Sequence, residues 1–343
     1  MQSRSGPSLR AVVAVAMAAL VALVFAACGS SDDDSSTATS AGAATTATAA
    51  ASGELETLKV VLFPVTDQVP FYEALNSGIF KKNGLDVQPT QVLDATALTA
   101  AVTSGKADIM FQALPTAITA RSSGLPLKLV SGESAMPTEG YFEILVPKDS
   151  DIEDFGDLQG KKVATIALHG VFDLAARNAI KAAGGDPNDM TSIAMAPTDE
   201  QSALNAGRVD AIVLNDPFLQ AALADPKIRS LGNPMSTFDY TVPSASAYAL
   251  EKTTTEKADA LAKFKASLQE AADQLASDPE VAPKVIAGYT QLTPEVIEQI
   301  GLPDYTTEVQ ADAVANISQQ MSDFGWIKKP VTADDILWSG SGS

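Results

Sequence analysis

Few side chains in this 343-residue chain could do chemistry, and most of those that could are acids where apolar runs end. Asp67, Asp94, Glu139, Asp199 and Asp216 fall at such places, beside the amides Gln112 and Asn215 and the hydroxyls Thr66 and Thr96. No Lys or Arg stands among them. Carboxylates and amides without a cation suit a ligand that brings an amine or another hydrogen-bond donor. A small anion would have only hydroxyls and helix N-termini to rest on. The single His, His169, follows an apolar run and precedes Gly170. A solvated loop residue and a ligand contact are the two readings open to it, ahead of catalysis or metal binding. The single Cys, Cys28, excludes disulfides, thiolate metal sites and a Cys nucleophile in the folded body. No catalytic residue, metal or cofactor is expected, although Asp67 and Asp216 could serve as acid and base if the frame were that of an enzyme.

The elements that must position these residues follow a script used twice, 102 positions apart. Thr96 stands nine places before Gly105, and Lys106, Asp108, an apolar run and Pro115 follow. Thr198 likewise precedes Gly207, then Arg208, Asp210, an apolar run and Pro217. This reads as a Thr-capped helix, a Gly stop, a buried parallel strand and a Pro-initiated helix. One unit used twice predicts two similar lobes with a cleft between them. Asp108 and Asp210 then belong to the architecture, at strand starts away from any ligand.

Strands are expected at 58–63, 86–91, 108–111 and 127–131, with a helix from Pro70 through about Phe80 between the first two. The rhythm restarts with strands at 162–167, 191–195 and 211–214 and a helix at 172–183, and Thr198 with Gln201 forms a capping box. Residues 241–250 read as a return crossing. The helical patterns at 255–277, 280–289, 293–300 and 307–324 are expected to pack on the first lobe. The fold class is therefore α/β with two lobes, each a mostly parallel sheet flanked by helices. Lobe 1 comprises 57–145 and 245–335, and lobe 2 comprises 146–244.

Ligands of such sheets lie beyond the carboxyl ends of the strands, where helix N-termini also point. The expected contacts are Thr66, Asp67, Phe71, Asp94, Thr96, Gln112 and Leu114 from lobe 1 and Glu139 from the crossover. Lobe 2 adds His169, Gly170, Val171, Phe172, Asn215, Asp216 and Phe218. Phe71, Phe172 and Phe218 could stack on a ring, although first-turn aromatics also serve as core; Asp216 could equally cap the helix after Pro217.

Arg4 and Arg10 precede an uncharged run from Ala11 to Ala27, and Cys28 follows at once. That is the layout of a secretory signal over 1–27. Ala26-Ala27-Cys28-Gly29 resembles the lipobox of bacterial lipoproteins, with Phe25 where Leu is usual, so Cys28 is expected to carry the lipid that anchors the chain to a membrane. Residues 28–56, rich in Ser, Thr, Ala, Gly and Asp, are expected to form a flexible tether. The formal charge is −19. Loss of the signal removes two Arg and no acid, leaving about −21, a charge that repels nucleic acid.

Pro70-Phe71-Tyr72-Glu73-Ala74-Leu75-Asn76-Ser77-Gly78-Ile79-Phe80-Lys81-Lys82-Asn83-Gly84-Leu85-Asp86-Val87 resembles the first helix and second strand of solute-binding proteins of the nitrate, sulfonate, taurine and thiamine-precursor type. Ser104 to Asp108, Gly124 to Val130, Asp157 to Ala164 and Gly325 to Pro330 are similar to the same family, and the resemblance runs in order from about residue 57 to 335. It implies a periplasmic-binding-protein fold, capture of a small solute by closure of the lobes, and delivery to an ABC permease outside the cytoplasmic membrane by a monomer. Delivery to a sensor kinase is an alternative, as is a small-molecule lyase on the same frame. Where the family usually has Trp-Glu-Pro, this chain has Asn215-Asp216-Pro217, which removes an aromatic platform. The acid-rich rim places a nitrogenous heterocycle such as a thiamine pyrimidine precursor first, sulfonates and taurine next and nitrate last.

Overall fold

Short apolar runs between Gly and Pro breaks become strands, and amphipathic runs become the helices that cover them. The structure, a computed structural model, describes residues 55–92 and 95–340. The signal segment, Cys28, the tether up to Glu54 and Asp94 lie outside the described residues.

The strands are β1 (Glu56–Leu62), β2 (Leu85–Gln91), β3 (Ile109–Gln112), β4 (Leu127–Ala135), β5 (Phe142–Pro147), β6 (Lys162–Thr165), β7 (Thr191–Ala194), β8 (Ala211–Asn215), β9 (Ile228–Gly232), β10 (Pro243–Leu250) and β11 (Asp304–Tyr305). They form two sheets, ordered β11-β4-β10-β3-β1-β2 and β7-β6-β8-β5-β9. With β11 set aside the two orders are equivalent. In each, a parallel trio is extended by one antiparallel strand that has arrived from the other sheet, β10 in the first and β5 in the second. The chain therefore crosses between sheets at 136–141 and again at 233–242.

The repeated script has a direct structural counterpart. The Asp108 carboxylate accepts the backbone N–H of Lys59 at 2.9 Å, and the Asp210 carboxylate accepts that of Lys162 at 2.7 Å. Each Asp thus ties the start of one parallel strand to the first residues of its neighbour. Gly105 and Gly207 adopt φ of +72° and +64°, the left-handed conformation that ends a helix and that Gly adopts without a Cβ penalty.

Alternation along the strands sorts side chains onto two faces. Leu58, Val60 and Leu62 enter a core with Phe71, Phe80 and Phe264, whereas Val61 faces a second core. That second core is continuous across both sheets, taking Met110 from β3, Val163 from β6 and Val213 from β8. A third core, with Ile212, Leu214 and Leu219, covers the outer face of the second sheet.

Several local expectations are corrected. The first helix runs only from Val69 to Asn76, because Gly78 at φ +80° breaks it before a short turn of helix at Ile79–Lys82. Thr96 and Thr198 each sit one residue inside their helices, Ala95–Thr103 and Pro197–Asn205, so Thr198 and Gln201 make no capping box; the N-cap there is Ala196, without a side-chain bond. The last long helix, Ala311–Asp323, does not pack on the first sheet's elements alone. Gln320 donates to the Asn178 side chain at 2.8 Å, and Lys181 lies 4.0 Å from Asp323, both partners being on the helix Val171–Ala182 that covers the second sheet.

Candidate functional site

In each sheet the chain leaves the central strand in opposite directions, to β2 or β3 from β1 and to β7 or β8 from β6. The crevice at such a switch point, beyond the carboxyl ends, is where ligands sit. The tips concerned are residues 63–68 and 112–116 in the first sheet, and 166–170 and 215–218 in the second. Among the described residues four large apolar side chains are exposed. One is Leu55 before β1; the others are Val65 (42%) after β1 and Ile166 (44%) and Leu168 (52%) after β6. Apolar side chains are thus left in water after the first strand of each parallel trio.

Tyr141 joins these tips. It ends the first crossover at φ +52°, a conformation uncommon for a residue with a side chain. Its hydroxyl donates to Asp67 Oδ2 at 3.2 Å, with the side chains of Thr66 and Asn215 beside the phenol. Its carbonyl accepts the Asp216 N–H at 2.9 Å. Burial pushes the Tyr141 phenol well above its ordinary pKa, the Asp67 charge adds to the rise, and the bonds from Thr66 and Asn215 pull it back. Three residues expected from sequence, Thr66, Asp67 and Asn215, are thus brought together by a fourth.

Asp67 is the sink of this network. Its Oδ1 accepts the hydroxyls of Ser134 at 2.8 Å and Ser244 at 2.6 Å, so β4 and β10 both contribute to it. Behind it Glu133, fully buried, accepts the Phe71 N–H at 3.0 Å and sits on the N-terminus of the helix Val69–Asn76. Burial pushes the Glu133 carboxyl well up, the Phe71 bond pulls it back and Asp67 raises it further. Tyr289 and Tyr305 donate to the carbonyls of Val65 and Thr66 and so hold the β1 tip from the C-terminal side. Tyr289 stacks on Tyr72 at 3.9 Å, and Gln91 donates to the Tyr72 hydroxyl.

Asp216 is buried, and its Oδ2 accepts the Gly301 N–H at 2.6 Å. A Cβ on Gly301 would meet the Tyr141 nitrogen at 2.8 Å, so only Gly allows this approach. Burial raises the Asp216 carboxyl pKa and the Gly301 bond opposes the rise. The second crossover is pinned to the first where Asn233 donates to the carbonyls of Pro137 and Gly140.

The remaining expected residues fall into three groups. Gln112 and Thr96 line an uncharged recess of about 510 Å³ with Thr99, Ala100, Thr103 and Thr116, beyond the tip of β3. His169, exposed at φ +60°, stacks on Trp326 at 4.7 Å, while Gly170 caps the following helix, Val171 is half-buried, and Glu139 is exposed in the first crossover. The third group is corrected. Phe71 is fully buried among Tyr72, Phe80, Phe111 and Phe264; Phe172 packs on Phe142 at 4.4 Å; Leu114 is wholly internal. These side chains start helices whose inner faces dock on a sheet, which turns them away from the crevice. Phe218 packs its inner side on the third core and stays half-buried.

Sequence reasoning offers the stretch Met136 to Tyr141 as a cleft floor without assigning Tyr141 a contact, and it misses Ser134 and Ser244. A signal existed in the serines, which interrupt the apolar runs that become β4 and β10. A larger recess, about 610 Å³, is lined by Lys148, Asp149, Asn205 and Lys227. It lies by the start of β8, opposite the Asn215 tip, and away from the orienting network, so the tips are the better candidate.

Residues 65–282 match the family described as NMT1/THI5 like. The chain belongs to that family. A putative ABC transporter periplasmic binding protein of Brachyspira hyodysenteriae is 25% identical over 251 residues, 68% of this chain and 69% of that protein. The formylaminopyrimidine-binding protein of Halalkalibacterium halodurans is 25% identical over 321 residues, 83% of this chain and 90% of the relative. A 4-amino-5-hydroxymethyl-2-methylpyrimidine phosphate synthase of Saccharomyces cerevisiae is 31% identical over 134 residues, only 38% of this chain and 37% of the enzyme. Among solved structures, the periplasmic aliphatic sulphonate binding protein SsuA from Escherichia coli superimposes with a TM-score of 0.69 at 22% identity, covering 82% of this chain and 97% of that one. The fold is that of the periplasmic binding proteins.

Proposed function

We propose that this protein is an extracytoplasmic solute receptor of an ABC importer, in which lobe 1 (57–145 and 245–335) and lobe 2 (146–244) close over a small organic molecule at their strand tips. The observation that carries the reading is the Tyr141 junction, where one crossover residue bonds Asp67 after β1 through its hydroxyl and the Asp216 N–H after β8 through its carbonyl. The exposed apolar tips at Val65, Ile166 and Leu168 support it, because closure over a guest would remove them from water. The contacts proposed for the guest are Thr66, Gln112, Asn215 and the rim of Ser244, with Asp67 buried behind them and His169 and Phe218 at the lobe 2 edge.

The preferred guest is a nitrogenous heterocycle of the thiamine pyrimidine-precursor type, ahead of sulfonates and taurine, with nitrate last. Acid-rich, cation-free tips support that order, as does the relative named for formylaminopyrimidine, which aligns over most of its length. The yeast synthase matches about a third of the chain, and this reading assigns no catalysis here. Cys28, cleaved free of residues 1–27 and lipidated, would hold the receptor as a monomer at the outer face of the cytoplasmic membrane, within reach of a permease.

Native mass spectrometry of the protein purified without refolding tests the reading. One small organic molecule bound per chain is expected, and thermal shifts across aminopyrimidines, sulfonates, taurine and nitrate should rank in that order. Turnover of the bound molecule, or no stabilisation by any of them, would contradict it.

A further inference from the structure

We propose that Asp67 sets the hydrogen-bond polarity of the site, so that the cleft takes solutes that donate hydrogen bonds and rejects those that only accept them. This deepens the solute-binding reading and rests on it.

The argument follows the protons. A carboxylate only accepts, whereas a hydroxyl has one proton to give and lone pairs to spare. Asp67 receives the protons of three hydroxyls, Ser134, Ser244 and Tyr141. The side chains of Thr66 and Asn215 lie beside the same phenol. Every donor in this chain of bonds therefore points toward one acid. The inner members Asp67, Ser134 and Tyr141 are buried, and the outer members Thr66, Asn215 and Ser244 are half-buried.

What the outer members offer beyond the network is the complement of what they have used. Ser244, its proton spent on Asp67 Oδ1, retains oxygen lone pairs on its half-exposed side. The exposed side of the network is an acceptor wall. An amino-substituted ring can donate to it; a sulfonate or nitrate, which carries acceptors alone, meets lone pairs. Among the described residues no Lys or Arg forms an ion pair with Asp67 that could reverse this polarity.

Asp67→Asn inverts the arrangement locally. One carboxylate oxygen becomes an NH₂ donor, so at least one hydroxyl must turn its proton outward. Isothermal titration of the full chain and its D67N and S244A variants with 4-amino-5-hydroxymethyl-2-methylpyrimidine and with ethanesulfonate reads the consequence. The wild type is expected to prefer the pyrimidine. D67N should weaken pyrimidine binding at least about tenfold and tighten ethanesulfonate binding, so that the preference collapses or reverses. S244A deletes one outward acceptor and leaves Asp67 in place; about a threefold loss for the pyrimidine with no gain for the sulfonate is expected. Thermal melting identifies any variant that fails to fold, and S244A then decides alone.

If the wild type binds the pyrimidine but both variants keep its preference, the role of Asp67 is overturned while the solute-binding reading stands. A wild type that prefers ethanesulfonate overturns the acceptor wall. Binding of neither probe overturns both.

Discussion

The two sheets share a strand order and a repeated Asp, yet their tips are built on opposite electrostatic plans. In the second, Asp173 at the start of the helix Val171–Ala182 is fully buried and meets a cation: Arg177 lies 2.9 Å away, Ser192 donates at 2.6 Å and the His169 N–H at 2.9 Å. Arg177 also sits 5.8 Å from the Trp326 ring, and Trp326 stacks on His169, so the charge at this tip is balanced by its own side chains. In the first sheet, Asp67 is met by three hydroxyls and Glu133 Oε1 by one N–H, while the buried Glu133 Oε2 has no partner among the described residues, and no cation pairs with either acid. A balanced tip is scaffold. Under the proposed receptor role, a tip whose acids have no counter-charge favours a guest that supplies donors, so selectivity is expected from the first sheet's tip.

The largest expected effect comes from breaking the lobe 2 pair. Asp173→Ala leaves a buried guanidinium without its partner and should cost about 3–5 kcal/mol in urea unfolding. Asp67→Ala removes no ion pair and should cost about 1–3 kcal/mol, with its main effect on binding. Equal losses at the two sites would erase the contrast between the lobes.

The next effect is a pH dependence in lobe 2. Glu200 is fully buried in the helix Pro197–Asn205, and burial pushes its carboxyl up to about 8, opposed only by the nearby Val213 backbone. The folded pKa lies above the unfolded value of 4.5, so the folded protein holds the proton longer. Stability should therefore fall as pH rises from about 4.5 to about 8 and level off above it. Glu200→Gln should remove on the order of 5 kcal/mol of pH-dependent stability between the two pH limits in denaturation, without altering ligand preference. Unchanged slopes would show that Glu200 is not buried as a neutral acid.

Smaller effects sharpen the comparison further. Trp326→Ala should cost about 1–2 kcal/mol in thermal unfolding through the lost His169 stack and Arg177 contact, and should loosen the C-terminal segment from lobe 2. Asp108→Asn and Asp210→Asn should each cost about 1 kcal/mol or less. Asp108 should be the costlier, being half-buried and paired with Lys257 at 2.8 Å, whereas Asp210 is exposed.

How much of this could be read from residues depends on range. The duplicated unit was legible because its signals are local: Gly105 and Gly207 stop helices, and Asp108 and Asp210 bond one strand over. Strand tips were legible for the same reason, and Thr66, Asp67 and Asn215 were found there. Helix rotation was not, since nothing local to Phe71 or Phe172 says which face meets the sheet, and both rings went to the core. The Asp67 network was least legible. It joins residues up to 177 positions apart, and Ser134 reaches Asp67 in a pairing of β4 and β10 that contains register shifts. The role of the last helix was hidden in the same way, because its partners Asn178 and Lys181 are far away in sequence.

Closure of the two lobes over a bound molecule is tested most directly by a distance. With Cys28→Ser removing the native thiol, spin labels at Val65→Cys and Leu168→Cys report on the exposed tips of β1 and β6 by pulsed electron resonance. Saturation with 4-amino-5-hydroxymethyl-2-methylpyrimidine is expected to shorten and narrow the distance distribution, as the apolar tips leave water and the lobes settle on one state. A distribution that stays the same while calorimetry shows the molecule bound would contradict capture by closure.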